Sequence, residues 1–225
     1  AHYGTIASRI ESAHGNGRID TTGYGLDGTL TWYADNGFYA DGQAHITWFD
    51  SDLASITANS GLANGNRGTG YALSVEVGQR MALGGRWSMT PQAQLSYSSV
   101  RFDDFVDPFG ADVSLDRSQS LLGRLGITLD RQAEWQGAEG GMNRSHVYGI
   151  ANLYYDFAVG SRVNVGGTPF VSENDALWGG IGVGGSLNWV DDKYSLYGEA
   201  LARTSLESFG GSNIVSGTIG FRMRW

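Results

Sequence analysis

Hydrophobic and polar residues alternate with a period of two along residues 215–225. One face holds Val215, Gly217, Ile219, Phe221, Met223 and Trp225, and the other holds Ser216, Thr218, Gly220, Arg222 and Arg224. This period predicts a β-strand with one apolar face and one wet face. Chain ends usually fray, so a strand this regular is expected to be paired on both sides. A closed barrel provides two neighbours for every strand.

The same alternation recurs through the rest of the chain. Eight further segments show it clearly, at 24–32, 38–48, 71–78, 87–97, 121–130, 146–157, 181–189 and 194–200, and a weaker one lies at 3–12. Each segment is near the roughly 9–11 residues with which a tilted strand crosses a bilayer. Strands of soluble sandwiches are shorter, at about 5–6 residues. We therefore predict ten membrane-spanning strands.

The connections between these segments alternate in length. Tight turns are predicted at 35–37, 84–86 and 191–193, where Asn-Gly and Gly-Gly pairs favour hairpins. Long polar loops are predicted at 11–22, 52–69, 101–119, 160–177 and 206–213. The connection at 136–145 falls on the short side but is longer than the other turns. This pattern is typical of outer-membrane barrels, whose short turns face the periplasm.

Composition supports a β-barrel over a helical membrane protein. The 225 residues include 35 glycines and only 3 prolines, and 12% are aromatic. No apolar run approaches the 18 or so residues of a membrane helix. Aromatic residues gather at segment ends, as interface girdles require: Trp32, Trp48, Trp87, Tyr97, Trp178, Trp189 and Trp225. The predicted fold is all-β, a transmembrane antiparallel barrel in which residues 1–225 form a single domain.

Net charge and cysteine content limit the possible partners and cellular compartments of the chain. The net charge of −8 disfavours nucleic acid as a partner, because no basic patch offsets it. Absence of cysteine suits either a cytosolic chain or one that crosses an oxidising periplasm. The first residues lack the charged and apolar regions of a signal peptide. We expect an exported chain to be mature here, or to be the C-terminal part of a longer protein.

Several charged residues alternate with apolar ones and are therefore predicted to face a polar lumen. They are Asp41, Glu76, Arg80, Arg124, Glu199, Arg222 and Arg224. One hypothesis is that Glu76 or Glu199 pairs with Arg124 across the lumen, and the alternative is that each charge is simply hydrated. His45 and His146 are predicted on the same face as hydrogen-bonded polar groups.

The sequence offers little for catalysis or cofactor binding. No nucleophile elbow, phosphate loop or zinc spacing stands in a fitting context, so no cofactor is predicted. Acidic residues crowd 103–116, but their spacing fits no calcium loop and no metal site is predicted. Gly182, Gly184 and Gly185 are interpreted as lumenal glycines that let a bulky neighbour lie across them.

The segments resemble the β-domain of autotransporters, and the pertactin-like subgroup in particular. The resemblance lies in Pro91-Gln92-Ala93-Gln94-Leu95-Ser96-Tyr97 and in the stretches 23–26, 28–39, 42–44, 48–49, 123–126 and 194–200, together with the aromatic last strand. It implies a membrane anchor and translocator in the outer membrane of a Gram-negative bacterium. Its partners would be outer-membrane lipid, a passenger domain on the same polypeptide, the barrel assembly machinery and periplasmic chaperones.

The resemblance also implies particular residue roles. The assembly machinery would recognise the last strand through Ile219, Phe221, Met223 and Trp225, and Arg124 and Glu199 match lumenal positions of the family. The family barrel has twelve strands and a helix that plugs the pore. About ten strands are visible here, beginning near the family's third, so we expect the missing strands to come from elsewhere.

Two other functions remain open at the level of sequence. Omptin-type outer-membrane proteases also have ten strands, with acidic and histidine residues at the extracellular rim. The rim here offers Asp50, Asp52, Asp103, Asp104 and His14, but no convincing Asp–His pair. A small passive porin or adhesin, with its function in the loops, is the other alternative.

Overall fold

A computed structural model describes residues 1–12, 15–115, 118–137, 140–158, 161–172 and 175–224, and all regular structure in them is β. The strands are β1 His2–Ser12, β2 Gly15–Tyr33, β3 Phe38–Ser55, β4 Ser60–Gln79, β5 Met81–Gly84, β6 Trp87–Phe102, β7 Phe105–Val106, β8 Asp112–Leu115, β9 Ser118–Gln136, β10 Met142–Asp156, β11 Ser161–Val165, β12 Thr168–Ser172, β13 Leu177–Trp189, β14 Tyr194–Ser205 and β15 Asn213–Met223. Among the residues so described, no helix is long and apolar enough to cross a membrane.

Ten long strands form one antiparallel sheet in the order β1-β2-β3-β4-β6-β9-β10-β13-β14-β15, with β5 paired to β6. These ten are the predicted segments, including the weak first one. Within the described part of the chain β15 pairs with β14 alone, so the second neighbour expected for the last strand is not among these residues. Ten strands cannot give both end strands two neighbours unless the sheet closes on itself, and no such pairing is present there.

The distribution of side chains is the inverse of that in a soluble protein. Large apolar side chains stand exposed on the outer face, and Leu30, Ile181, Val215 and Ile219 are 71–81% exposed. The well-buried side chains of the described residues are mostly polar: Ser51, Ser88, Thr90, Ser99, Asp130, Ser195 and Ser205, with Tyr154 as the one hydrophobic member. Exposed apolar surface on this scale indicates contact with a membrane or a partner.

The tight turns form where predicted. Gly37 has a φ of +86°, and Gly84, Gly85 and Arg86 follow one another at +89°, +59° and +72°. Glycine adopts this left-handed region without strain, whereas a side chain disfavours it. The connection between β9 and β10 is shorter than expected, since the strands run to Gln136 and from Met142 and only 137–141 remains between them.

Most of the predicted long loops are strand rather than loop. The hairpins at 11–22 and 52–69 continue as paired strand to Ser12 and Gly15, and to Ser55 and Ser60. Among the described residues the stretch 206–212 between β14 and β15 stays a loop, as do 103–104 and 107–111. Backbone pairing needs no apolar face, so polar strands that extend into water show no alternation to detect.

A second, four-stranded sheet forms inside the predicted loops 101–119 and 160–177. Its order is β12-β11-β8-β7. The two loops are joined by pairing of β8 with β11, where Val113 lies opposite Val165. This sheet stands at the end of the molecule opposite the tight turns.

Aromatic residues form belts near both ends of the main sheet. Trp189, Tyr194 and Phe221 cluster beside the turn 190–193, with ring centroids 5.7–6.3 Å apart. Tyr24 stacks on Trp48 at 5.8 Å near the other end. The prediction that Trp178 belongs to a girdle is wrong. Trp178 lies opposite Tyr154 on the inner face, where its indole N–H donates to the Asp175 carbonyl at 2.8 Å. Trp225 lies outside the described residues.

Candidate functional site

The inner face of the sheet carries a hydrogen-bonded network centred on Arg124. Its guanidinium Nη2 lies 2.5 Å from Glu76 Oε2, and both side chains are less than 20% exposed. Glu76 belongs to β4 and Arg124 to β9, with β6 between them. The predicted pairing of Glu76 with Arg124 is present. Because the two side chains meet across an intervening strand, this face of the sheet is concave.

The remaining donors of Arg124 are also satisfied. Nε donates to Gln94 Oε1 at 2.9 Å, and Nη1 donates to Asn152 Oδ1 at 3.2 Å. On the other side, the Tyr39 hydroxyl donates to Glu76 Oε1 at 2.5 Å. Charge-assisted bonds of this kind are among the stronger ones in proteins. The network ties β3, β4, β6, β9 and β10 together through their lumenal side chains.

Glu199 takes a different partner from the one proposed for it. Its Oε2 accepts a hydrogen bond from the Tyr148 hydroxyl at 2.9 Å. Tyr148 on β10 reaches β14 by lying across Gly184 of β13, where a Cβ would stand 2.4 Å from its Cζ. This confirms the interpretation of Gly184. Gly185 differs, because it lies opposite Val147 on the lipid face.

The same arrangement recurs elsewhere on the inner face. Tyr39 lies over Gly78, and Tyr197 lies over Gly220, each directly across the ladder. In all three pairs a Cβ on the glycine would fall 2.2–2.4 Å from the nearest ring atom. A glycine beneath an aromatic ring on the neighbouring strand stabilises sheet register.

Replacing Gly184 with alanine tests this packing. The new methyl group displaces the Tyr148 ring and breaks its bond to Glu199, so we expect a loss of about 1–2 kcal/mol in the free energy of unfolding. Gly28→Ala is the control, because nothing lies within 4 Å of a Cβ there. Urea unfolding of the purified protein in detergent checks both variants, and equal stabilities would contradict the prediction.

A second cluster lies nearer the tight turns. Asp130, whose side chain is 6% exposed, accepts hydrogen bonds from Ser88 at 2.7 Å and Arg80 at 3.3 Å, and its Oδ1 lies 3.2 Å from His146 Nε2. Arg80 and His146 thus share Asp130 as a hydrogen-bond partner, while the lumenal position of Arg80 stays a prediction. Asp130 is not among the charges predicted to face the lumen. The sequence does contain a signal for it, because Asp130 falls on the same alternate positions of segment 121–130 as Arg124.

The predicted lumenal Asp41 and His45 also have polar partners. Asp41 accepts from the Thr31 hydroxyl at 2.5 Å and from the Gln43 amide at 2.9 Å. His45 Nδ1 lies 2.6 Å from Asp27, a carboxylate that sequence reasoning left out of its candidates. These groups lie on the wall formed by β2 and β3. Asp41 borders the Arg124 network, because it lies directly opposite Glu76 in the β3–β4 ladder.

The remaining predicted residues lie on β15 and just beyond it. Arg222 and Arg224 are exposed, and within the described residues neither makes an ion pair. On the outer face Ile219, Phe221 and Met223 are 81%, 59% and 46% exposed. The alternation predicted for this strand is therefore present.

The rim opposite the tight turns is acidic but contains no metal site in the part of the chain that the structure describes. Hydrogen bonds from Ser205 and Ser208 hold the pKa of Asp175 below its usual range. Asp107 accepts the backbone N–H groups of Phe109 and Ala111, which closes a turn. His14 and Asp116 lie outside the described residues.

The Arg124 network and the Tyr148–Glu199 pair border an open cavity of about 700 Å³ on the concave face. Its lining includes Glu76, Arg124, Tyr148 and Glu199. The arrangement offers a wet, charged interior inside an apolar shell. It can admit or hold a polar chain.

Comparisons with known proteins agree with this geometry. The autotransporter beta-domain family model matches residues 1–200. The Adhesin BmaC autotransporter of Brucella suis biovar 1 (strain 1330) is 53% identical over 223 residues, which is 99% of this chain and 6% of that protein. The Pertactin autotransporter of Bordetella parapertussis (strain 12822 / ATCC BAA-587 / NCTC 13253) is 28% identical over 59% of this chain and 14% of that protein. The chain thus spans a small part of the relatives it matches.

Two solved structures share the fold. The transport unit of the autotransporter AIDA-I from Escherichia coli superposes with a TM-score of 0.78 at 16% identity, over 99% of this chain and 73% of that one. The beta domain of the Bordetella autotransporter BrkA gives a TM-score of 0.63 at 18% identity, over 98% of this chain and 88% of that one. With its apolar outer wall, polar lumen and family match, the chain belongs to the autotransporter beta-domain family, the outer-membrane barrels of Gram-negative bacteria.

Proposed function

We propose that this domain anchors an N-terminal passenger, made as part of the same polypeptide, and mediates its secretion to the cell surface. The observation that carries the proposal is the wall itself, with exposed apolar side chains outside and the Arg124 network inside. Such a wall is stable only with lipid on one face and water or a polar chain on the other. The family match supports the same function.

We propose an orientation in which the tight turns face the periplasm and the four-stranded sheet faces outward. Short periplasmic turns and longer extracellular connections are the rule in outer-membrane barrels. In this orientation Met223 lies at the periplasmic end of β15, where the assembly machinery and periplasmic chaperones would meet Ile219, Phe221 and Met223. Trp225 would complete that signal.

We propose that further strands close the barrel and that a helix occupies its pore, as the family resemblance implies. The share of the AIDA-I and BrkA chains that this chain covers, 73% and 88%, supports additional structure in the complete domain. Lipid does not tolerate an open sheet edge, which is a second, independent reason for closure.

We infer that the domain is not an enzyme. One of the acidic rim residues named for an omptin-like protease, Asp52, has a structural role, since it accepts the backbone N–H of Gly65 at 2.8 Å. The adhesin alternative applies more naturally to the passenger, given that one relative is named as an adhesin.

Surface display of the passenger tests the translocator function. An epitope placed in the passenger of the full-length protein is expected to bind antibody on intact cells, and deletion of 213–225 is expected to abolish that signal. A periplasmic protein carrying the same epitope is the control for membrane integrity. Epitope binding only after the outer membrane is permeabilised would contradict the proposal.

A further inference from the structure

A groove of about 830 Å³ runs along the outer, lipid-facing side of β10. Ser145, Val147, Gly149 and Ala151 of β10 line it, while Leu129 of β9 and Val183 of β13 stand on either side of Gly149. The volume lies within the roughly 300–1,000 Å³ range of small-molecule sites. Because this face is exposed to lipid, the groove would be filled in the membrane.

The groove contains an outward-facing cation. Arg131 belongs to its lining, and its guanidinium carbon lies 5.7 Å from the centre of the Trp87 ring. Within the described residues Arg131 has no carboxylate within 4.0 Å. A cation held on an aromatic face and lacking an acidic partner has N–H donors available for an anion.

A second outward groove shows that this combination is not general. It encloses about 570 Å³ between residues such as Val75, Leu95 and Leu153. The arginine in its lining, Arg124, donates its hydrogen bonds to the lumenal network instead. Of these two grooves in the described residues, the one along β10 combines an apolar lining with an outward cation that is free of the lumenal network.

The groove leaves room for an acyl chain below Arg131. The four steps from Val147, which lies opposite Arg131, to Ala151 span about 14 Å along the strand, which is roughly 10 Å of depth at a tilt near 45°. This depth lies within half of a hydrocarbon core of about 30 Å. An acyl chain lying along β10 would place its head group at the level of Arg131.

We propose that this groove binds one glycerophospholipid of the periplasmic leaflet, with an acyl chain along β10 and the phosphate on Arg131. Charge complementarity selects the ligand, since a guanidinium binds phosphate through two parallel N–H donors. The assignment to the periplasmic leaflet rests on the orientation proposed above. The site would hold an anionic lipid more tightly than a zwitterionic one. The head group of an anionic lipid has a net negative charge to face the Arg131 guanidinium, whereas a zwitterionic head group has none.

Native mass spectrometry of the full-length protein in mixed micelles with phosphatidylglycerol tests the site. Arg131→Gln removes the cation and Gly149→Leu fills the groove, where the nearest heavy atom to a Cβ is 3.9 Å away. The matched controls are Lys193→Gln, which removes another cation seated on an aromatic ring at 5.6 Å, and Gly28→Leu, at an open outward glycine.

We expect both site variants to retain at least threefold less phosphatidylglycerol than the parent, and both controls to retain as much. Equal retention by all variants, equal retention of phosphatidylcholine, or a preference for lipopolysaccharide would each overturn the proposal. Passenger display is measured in parallel on the same variants. Normal display with unchanged lipid retention would reject the lipid site alone and leave the translocator function standing.

Discussion

Arg124→Met is expected to lower the free energy of unfolding by about 3 kcal/mol. The substitution leaves Glu76 as a charge in the lumenal wall with the Tyr39 hydroxyl as its hydrogen-bond donor. Removing one partner of a buried ion pair costs about 3–5 kcal/mol. Both side chains retain some exposure, at 16% and 19%, which places the estimate at the low end of that range. Urea unfolding of the purified protein in detergent micelles measures the change.

Arg222→Met is the matched control for the Arg124 variant. It removes the same charge from the same face, but Arg222 has no ion pair among the described residues, so we expect a change within about 0.5 kcal/mol. Adding Glu76→Gln to Arg124→Met should recover part of the loss, because no unpaired charge remains. Equal effects of Arg124→Met and Arg222→Met would mean that the lumenal charges are simply hydrated.

Ile219→Arg is expected to cost about 2 kcal/mol, whereas Thr218→Arg is expected to cost almost nothing. The two residues are adjacent on β15 and both are exposed, Ile219 at 81%, but they face opposite sides of the sheet. A cation on the lipid face costs about 2–4 kcal/mol at the bilayer midplane and less toward the interface. A cation facing the lumen stays in water.

Refolding of both β15 variants into lipid vesicles, followed by urea titration, checks this contrast. Vesicles separate the effect of lipid contact from recognition by the assembly machinery, because no machinery is present. If the two arginines cost the same, the outer face of β15 does not contact lipid, and the interpretation of the whole wall would be wrong.

The strand count and the facing of most residues could be predicted from sequence because a half-buried strand has a strict period of two. Phe221 and Arg222 show this, since lipid on one face and water on the other fix their chemistry residue by residue. The tight turns were equally readable, since Gly37 and Gly84 supply the positive φ that these hairpins need.

The extensions beyond the membrane could not be read in this way. From Ser60 to Gly68, β4 is wet on both faces, so it shows no alternation although its backbone is paired. The pairing of β8 with β11 joins two predicted loops that lie about fifty residues apart, and no local signal specifies it. Trp178 shows a related limit, because its aromatic character alone did not reveal which face it occupies.

By itself, the sequence determined a β-wall with an apolar outside, a charged inside and an alternation of short and long connections. Only the tertiary structure decided the partners within the lumen. Arg124 bonds Glu76 rather than Glu199 because β4 and β9 curve toward each other across β6, whereas Tyr148 reaches Glu199 over Gly184. Alternation fixes the face that a side chain occupies, but curvature and register fix its neighbours, and those depend on strands far apart in the chain.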